Sequence, residues 1–409
     1  MEFAILKLIL VFCVIVAVMW VNQPLWIAVT AAGVATVFLY GLTPSEAGTA
    51  VYRGITARTT LETVLVFYSI TYLQRMMEKR GDLMNALQAM NGLYNNNRIN
   101  ASIVPFLLGM LPAAGTVLIC GPIVRESTKN STLSTAEKAC ITSYFRHVSE
   151  SFLPTYTSIF IGISLTGGRV SAASFVVAML PMVVLLIATG WVIYLRKVPV
   201  DTGMVPDQPR RYYWKLLFRS LWAIALTVVM ILVLHLKVYV AVVICIVLNV
   251  FVNRFSVKEL FPFFRTAFEK RLILNTCFVL TFKEVLAATG VITALPAYFS
   301  TLPIPSFLIF TLIFFFGTLV AGSQAIIVLC IPMAMQAVAV GHSGLAMFTL
   351  MMCITYIAMQ LSPTHICLSL CSEDYKVSLG AMILRTIPLV GFFTPIAIGY
   401  YGLLSVMGF

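Results

Sequence analysis

The chain has 409 residues, of which 60% are hydrophobic and only 10% charged, and its mean hydropathy is +0.97. That composition excludes a soluble domain, and apolar stretches of near-bilayer length from end to end exclude a β-barrel. They indicate an all-α polytopic membrane protein. The net charge of +12 fits basic loops on one side of a membrane rather than a nucleic-acid surface.

In chain order, the spans expected are 3–20 and 24–40 as a tight antiparallel pair, then a weak interfacial segment at 45–57 and a crossing at 59–74. A polar stretch follows. Residues 101–124 carry Pro112 and Gly115 at their middle and read as a re-entrant hairpin. A crossing at 139–165 is interrupted between Ser149 and Thr155, and a span at 172–195 closes the first half. The halves are taken as 1–197 and 217–409, joined by a polar linker at 198–216. The second half repeats the order: paired spans at 221–234 and 238–252, an interfacial segment at 257–268, and a crossing at 272–289. A hairpin at 307–337, a broken helix at 345–370 and a last span at 377–407 complete it. The sum is about 10 transmembrane helices plus two re-entrant hairpins. Five crossings in each half invert one copy relative to the other.

Nineteen Lys and Arg fall on one side of this map and five on the other. The positive-inside rule then puts the linker in the cytoplasm and both termini outside it. The 3–20 stretch lacks the basic start and small-residue cleavage site of a signal peptide. The nine cysteines lie mostly in apolar stretches and form neither a metal spacing nor a disulfide framework.

Two matched pairs of interruptions recur about two hundred residues apart, the best sequence pointer to a transporter's binding site. Ala114-Gly115-Thr116 corresponds to Ala321-Gly322-Ser323-Gln324, and Ser149-Glu150-Ser151 through Pro154-Thr155 corresponds to Ser362-Pro363-Thr364-His365. A helix broken in hydrocarbon strands backbone N–H and C=O groups at roughly several kcal/mol each. N–H groups at half-helix starts favour anions; bare carbonyls and hydroxyls suit Na⁺ or hydrogen bonds to a substrate. The candidate binding residues are therefore these: Ala114, Gly115, Thr116, Ser149, Glu150, Ser151, Pro154, Thr155, Gly322, Ser323, Gln324, Ser362, Pro363, Thr364 and His365.

Charges inside spans are the second clue. Arg146 and Glu150 stand at i,i+4, and His147 and Glu150 at i,i+3, so Glu150 can meet either on one face. An Arg146–Glu150 pair that only holds the broken helix competes with a coupling role for Glu150. His147 and Glu150 alone have no third metal ligand near in sequence, so no metal or cofactor is expected beyond Na⁺. Lys283 and Glu284 point about 100° apart and call for other partners. No nucleophile elbow, nucleotide loop or zinc-helix motif is present, so an enzyme is not expected and a solute or ion gradient would drive transport.

The repeated order of paired spans, interfacial helix, span, hairpin, broken span and span resembles the ion transporter superfamily of secondary transporters. Residues 361–368, Leu-Ser-Pro-Thr-His-Ile-Cys-Leu, look like the Ser-Pro-x-His-x-Cys-Leu stretch of a prokaryotic integral-membrane family of unassigned function. The resemblance implies a homodimer in the cytoplasmic (inner) membrane of a prokaryote, with a mobile unit of hairpins and broken helices moving as an elevator. The carboxylate symporters of the superfamily carry Ser-Asn-Thr at each hairpin tip, where this chain has Ala-Gly-Thr and Ala-Gly-Ser-Gln. The expected function is symport of a small organic anion with Na⁺ or H⁺; the alternative is cation/proton antiport without an organic substrate. The partners expected are that anion, the bilayer and a second copy of the chain.

Overall fold

A computed structural model describes residues 2–409 except 22, 111–115, 155, 201–206, 235, 292–302, 339 and 363–364. The described residues form helices and no strand. Hydrophobic side chains cover much of the outer surface: Phe38 is 80% exposed, Phe251 73%, Val184 65% and Leu384 67%. In water such a surface would be costly; in hydrocarbon it is the solvated state. The chain is a membrane protein.

The first half opens with α1 (Glu2–Trp20), α2 (Leu25–Tyr40), the short α3 (Pro44–Thr56) and α4 (Arg58–Arg80). After α5 (Asp82–Tyr94), the segments α6 (Asn97–Gly109) and α7 (Thr116–Ser127) pack side by side as a helical hairpin. Then come α8 (Thr135–Glu150), α9 (Thr157–Leu165) and α10 (Ala172–Ile193). The second half has α11 (Arg210–Val233), α12 (Val238–Val252), α13 (Val257–Thr266) and α14 (Lys270–Ala288). The hairpin of α15 (Ser306–Ala321) and α16 (Ser323–Gln336) follows, then α17 (Leu345–Met359), α18 (Ile366–Asp374) and α19 (Leu379–Val406). By length and composition α10 with the turn after it, α11 and α19 are each able to cross a membrane; α2, α12, α15, α16 and α17 are shorter apolar helices.

Three boundaries differ from the sequence expectation. The polar stretch after the fourth span is helical: Asp82–Tyr94 forms α5, which lies along α11 with Gly92 under the ring of Tyr213. A Cβ at Gly92 would stand 2.2 Å from that ring. The helix therefore rests on one close crossing that an apolar-period scan does not weigh. Helix α11 begins at Arg210, inside the expected linker, with Pro209 at its N-cap position in an extended conformation (φ −63°, ψ 146°). Helix α6 begins at Asn97, where the Asn96 side chain accepts from the N–H groups of Arg98 and Ile99.

Packing sorts the helices into two groups that alternate along the chain. In the first, α2 and α3 lie on α14, while α12 and α13 lie on α4. Gly54 of α3 crosses so near α14 that a Cβ would be 2.5 Å from Thr281 Cα. Tyr68 and Tyr72 of α4 donate to the carbonyls of Phe264 and Leu260 on α13, at 3.1 and 3.2 Å. In the second group, α6 packs on α8 and α15 on α17. The helices leaving the two breaks exchange partners: α9 lies on α16 of the other half, and α18 on α7. Gly162 of α9 faces Ile327 of α16, with Phe348 of α17 beside it. An ion pair joins α18 to α7, Arg125 to Asp374 at 2.6 Å, with Tyr375 donating to the Gly121 carbonyl at 3.0 Å.

Candidate functional site

Helix α8 starts under full control. Ser134 and Glu137 form a reciprocal capping box, and Lys197 binds Glu137 at 2.7 Å. Its other end stops at Glu150, in mid-protein, although nearly every side chain from Ala139 to Ser149 is buried. Pro154 cannot donate an N–H, and the chain turns until α9 begins after Tyr156. The second break is similar. Helix α17 ends at Met359, a turn follows through Ser362, and α18 begins after His365. Among the described residues, neither α9 nor α18 has a side-chain cap at its N-terminus.

The two breaks meet through charged and polar side chains. Arg146 is 1% exposed and pairs with Glu150, Nη1 to Oε1, at 2.8 Å. The same Nη1 is 3.0 Å from His147 Nε2 and 3.4 Å from Cys367 Sγ. His147, fully buried, has Nδ1 2.5 Å from the Ser143 carbonyl, so Nδ1 carries the proton and Nε2 presents its lone pair. His365 Nε2 lies 2.9 Å from that lone pair, with the rings 4.8 Å apart and 64° inclined. Glu150 Oε2 is 3.8 Å from His147 Nε2. Gly109 permits this arrangement, because a Cβ there would sit 2.0 Å from the Arg146 carbonyl and 2.5 Å from Ser149 Oγ. Hairpin arm α6 thus presses on the carbonyl side of α8 just where the charged residues lie.

The sequence candidates fall into three sets. Glu150 and His365 belong to the cluster directly. Ser149 and Ser151 are buried beside it, and their hydroxyls bond back to the Arg146 and Val148 carbonyls, at 3.0 and 2.7 Å. Ser362 binds the second hairpin instead, donating toward the carbonyls of Leu319 and Thr318 at 3.1 and 3.3 Å. Gly322 makes the turn of that hairpin at φ 81° and ψ 159°, a region only glycine enters freely. Ser323 and Gln324 open α16, which has no side-chain cap, and Thr116 opens α7. Pro154 sits in the first break. Ala114, Gly115, Thr155, Pro363 and Thr364 lie outside the described residues.

Two buried polar atoms flank Ser362 without a partner among the described residues, Thr318 Oγ1 and Gln360 Nε2. Buried polar groups are normally satisfied, so these two atoms are exceptions near the second break. Sequence reasoning set aside His147 and missed Cys367 entirely. The signal was faint: Cys367 stands two residues after His365, but their partner is 218 residues away from His365. Lys283 Nζ lies 3.7 Å from its own neighbour Glu284, contrary to the expectation of separate partners, because two long side chains bend across the angle between them.

Helical hairpins, two broken helices and a buried charged cluster at their meeting point define a polytopic helical membrane protein with an interior polar site. A family model described as "Protein of unknown function (DUF401)" matches residues 4–403, and the chain belongs to that family. Seventeen solved chains match its fold. One is the YdaH transporter of Alcanivorax borkumensis, whose crystal structure is described as revealing an unusual topology. It is 15% identical with a TM-score of 0.60, over 88% of this chain and 87% of that one. No curated protein matches.

Proposed function

We propose that the chain is a secondary active transporter that moves a small organic anion across the prokaryotic cytoplasmic membrane, coupled to Na⁺ or H⁺. The observation that carries this reading is Arg146, a cation buried at 1% exposure at the end of a broken helix and paired with the Glu150 carboxylate at 2.8 Å. An anion reaching Arg146 brings a second negative charge into a low-dielectric site. That charge is tolerated only if a cation comes too, a proton on Glu150 or a Na⁺ beside it. Coupling then follows from electroneutrality. The uncapped starts of α9, α16 and α18, with the unpaired donors at Thr318 and Gln360, add dipoles and hydrogen bonds suited to an anion.

In this reading the halves are inverted copies within the ion transporter superfamily. The group α6–α10 with α15–α19 carries the site and slides against α1–α4 with α11–α14, which would also form the homodimer contact. Both termini lie outside the cytoplasm. The likeness to a solved transporter fold supports this architecture. Cation/proton antiport without an organic substrate is the competing reading, and the carboxylate of Glu150 inside the cluster is what favours it.

A thermal-shift screen of the purified protein against organic anions, with and without Na⁺ and at two pH values, tests the proposal. A ligand at 100 times its dissociation constant stabilises by about 2.7 kcal/mol. A shift that needs both the anion and Na⁺ or acid supports symport. Shifts with Na⁺ or pH alone, and none with any anion, favour antiport.

A further inference from the structure

We infer that His147, His365 and Cys367 form a binding site for a borderline-soft transition metal ion such as Zn²⁺, built across the two halves of the chain. Three observations carry this. One ring nitrogen each of His147 and His365 and Cys367 Sγ all lie within 4.8 Å of one another, and the two Nε2 atoms are 2.9 Å apart. A tetrahedral ion with bonds of about 2.0–2.1 Å to nitrogen holds two such nitrogens roughly 3.3 Å apart. The 2.9 Å between the imidazoles needs to open only by a few tenths of an ångström. Next, His147 is already in the tautomer a metal requires. Its Nδ1–H points at the Ser143 carbonyl, the outer hydrogen bond that metal-bound histidines nearly always make, and this leaves the Nε2 lone pair facing His365 and Cys367. Last, imidazole and thiolate together select Zn²⁺, Cu⁺ and their congeners over Na⁺ or Mg²⁺, which take oxygen.

The backbone explains why these residues converge. His365 is the N-cap residue of α18 and Cys367 sits in its first turn, so the second break delivers both to the end of α8. His147 is fully buried, whereas Glu150 is 14% exposed and His365 is half-buried, which leaves the open side of the site at those two residues. Glu150 Oε2, at 3.8 Å from His147 Nε2, is near enough to become a fourth ligand while Oε1 stays on Arg146.

Binding is a substitution without redox change. The Cys367 S–H bond breaks, its proton leaves to solvent, and a metal–sulfur bond forms; the proton that His365 Nε2 gives to its contact with His147 shifts to Nδ1 through solvent, and both Nε2 atoms then make dative bonds. Arg146 Nη1 must give up its contact with the His147 lone pair; it keeps Glu150 and its N–H to the sulfur. With Arg146, Glu150 and a thiolate present, a divalent ion leaves the cluster with one net positive charge, which an anion can offset.

The test uses the full-length protein in detergent, stripped with a chelator and titrated with Co²⁺ as the spectroscopic stand-in for Zn²⁺. One equivalent per chain is expected to give tetrahedral d–d bands and a thiolate-to-cobalt charge-transfer band, both removed by Zn²⁺. Cys367→Ser should abolish the charge-transfer band. His365→Gln should weaken binding by more than the roughly 10–100-fold that loss of an outer partner costs. Cys330→Ser, at a buried apolar position in the second hairpin, should change nothing. Elution volume and metal-free melting temperature identify a variant that has not folded; Cys367→Ala then replaces Cys367→Ser. No bands at saturating Co²⁺, or a charge-transfer band that survives loss of Cys367, overturns the assignment. The readout needs no anion, so its failure leaves the transport reading standing, and the converse holds.

Discussion

Both ends of α8 hold a glutamate paired with a base, and they are built to opposite rules. At the start, Glu137 accepts from Ser134 and binds Lys197 at 2.7 Å, so its partners come from the local turn and the segment that follows α10. At the finish, Glu150 binds Arg146 at 2.8 Å, but the pair opens onto His147, His365 and Cys367, and the helix stops in the interior. The first arrangement caps a helix end beside a partly exposed lysine. The second holds charge in the protein interior, where ionisable groups are costly and are retained for a role. The same acid–base pairing serves a cap in one place and a buried polar cluster in the other, and what separates them is burial and the arrival of a second chain segment.

Substitutions at the two ends should therefore behave differently. The largest effect is expected at the finish. Arg146→Met leaves Glu150 buried without its partner, at a cost of about 3–5 kcal/mol, and should abolish any anion-induced thermal shift; melting curves with and without anion measure both. Gly109→Val should come next, because a Cβ 2.0 Å from the Arg146 carbonyl forces α6 off α8. Overpacking of this kind costs about 1–3 kcal/mol, and uptake by proteoliposomes should fall even where the protein still folds. At the start, Ser134→Ala should cost about 0.5–2 kcal/mol with uptake per folded molecule unchanged. A loss of uptake there would mean that the two ends are not functionally distinct.

The smallest effect is a pH slope. Burial pushes the Glu137 carboxyl up, but the hydrogen bonds from Lys197 and Ser134 outweigh it and hold the group below its ordinary value of 4.5. A carboxyl depressed in the folded state stabilises at pH values above its unfolded pKa, and that contribution is lost as pH falls through the folded one. Melting temperature should therefore decline on acidification below about 4.5, and Glu137→Gln should flatten that part of the decline.

How much of this the sequence discloses depends on range. The breaks at 151–156 and 360–365 are legible because proline and hydroxyl residues interrupt apolar runs, and such residues have few other reasons to sit there. Arg146 and Glu150 are legible as a pair because i,i+4 spacing places them on one helical face. The meeting of His147 with His365 and Cys367 is not legible, since it depends on which arm of one half lies against which helix of the other. Gly109 is equally silent: it reads as one more small residue in an apolar run until α8 is seen pressed against it. Helix α5 went unread for a similar reason, as its packing on α11 turns on Gly92 and Tyr213 rather than on hydrophobic period.

The most direct measurement is anion binding by the purified protein in wild type, Arg146→Lys and Glu150→Gln, read as thermal shift across pH with and without Na⁺. The account predicts that at least one organic anion stabilises the wild type, that Arg146→Lys weakens the shift, and that Glu150→Gln changes its dependence on pH or Na⁺. A shift of the same size and the same cation dependence in all three proteins would contradict it.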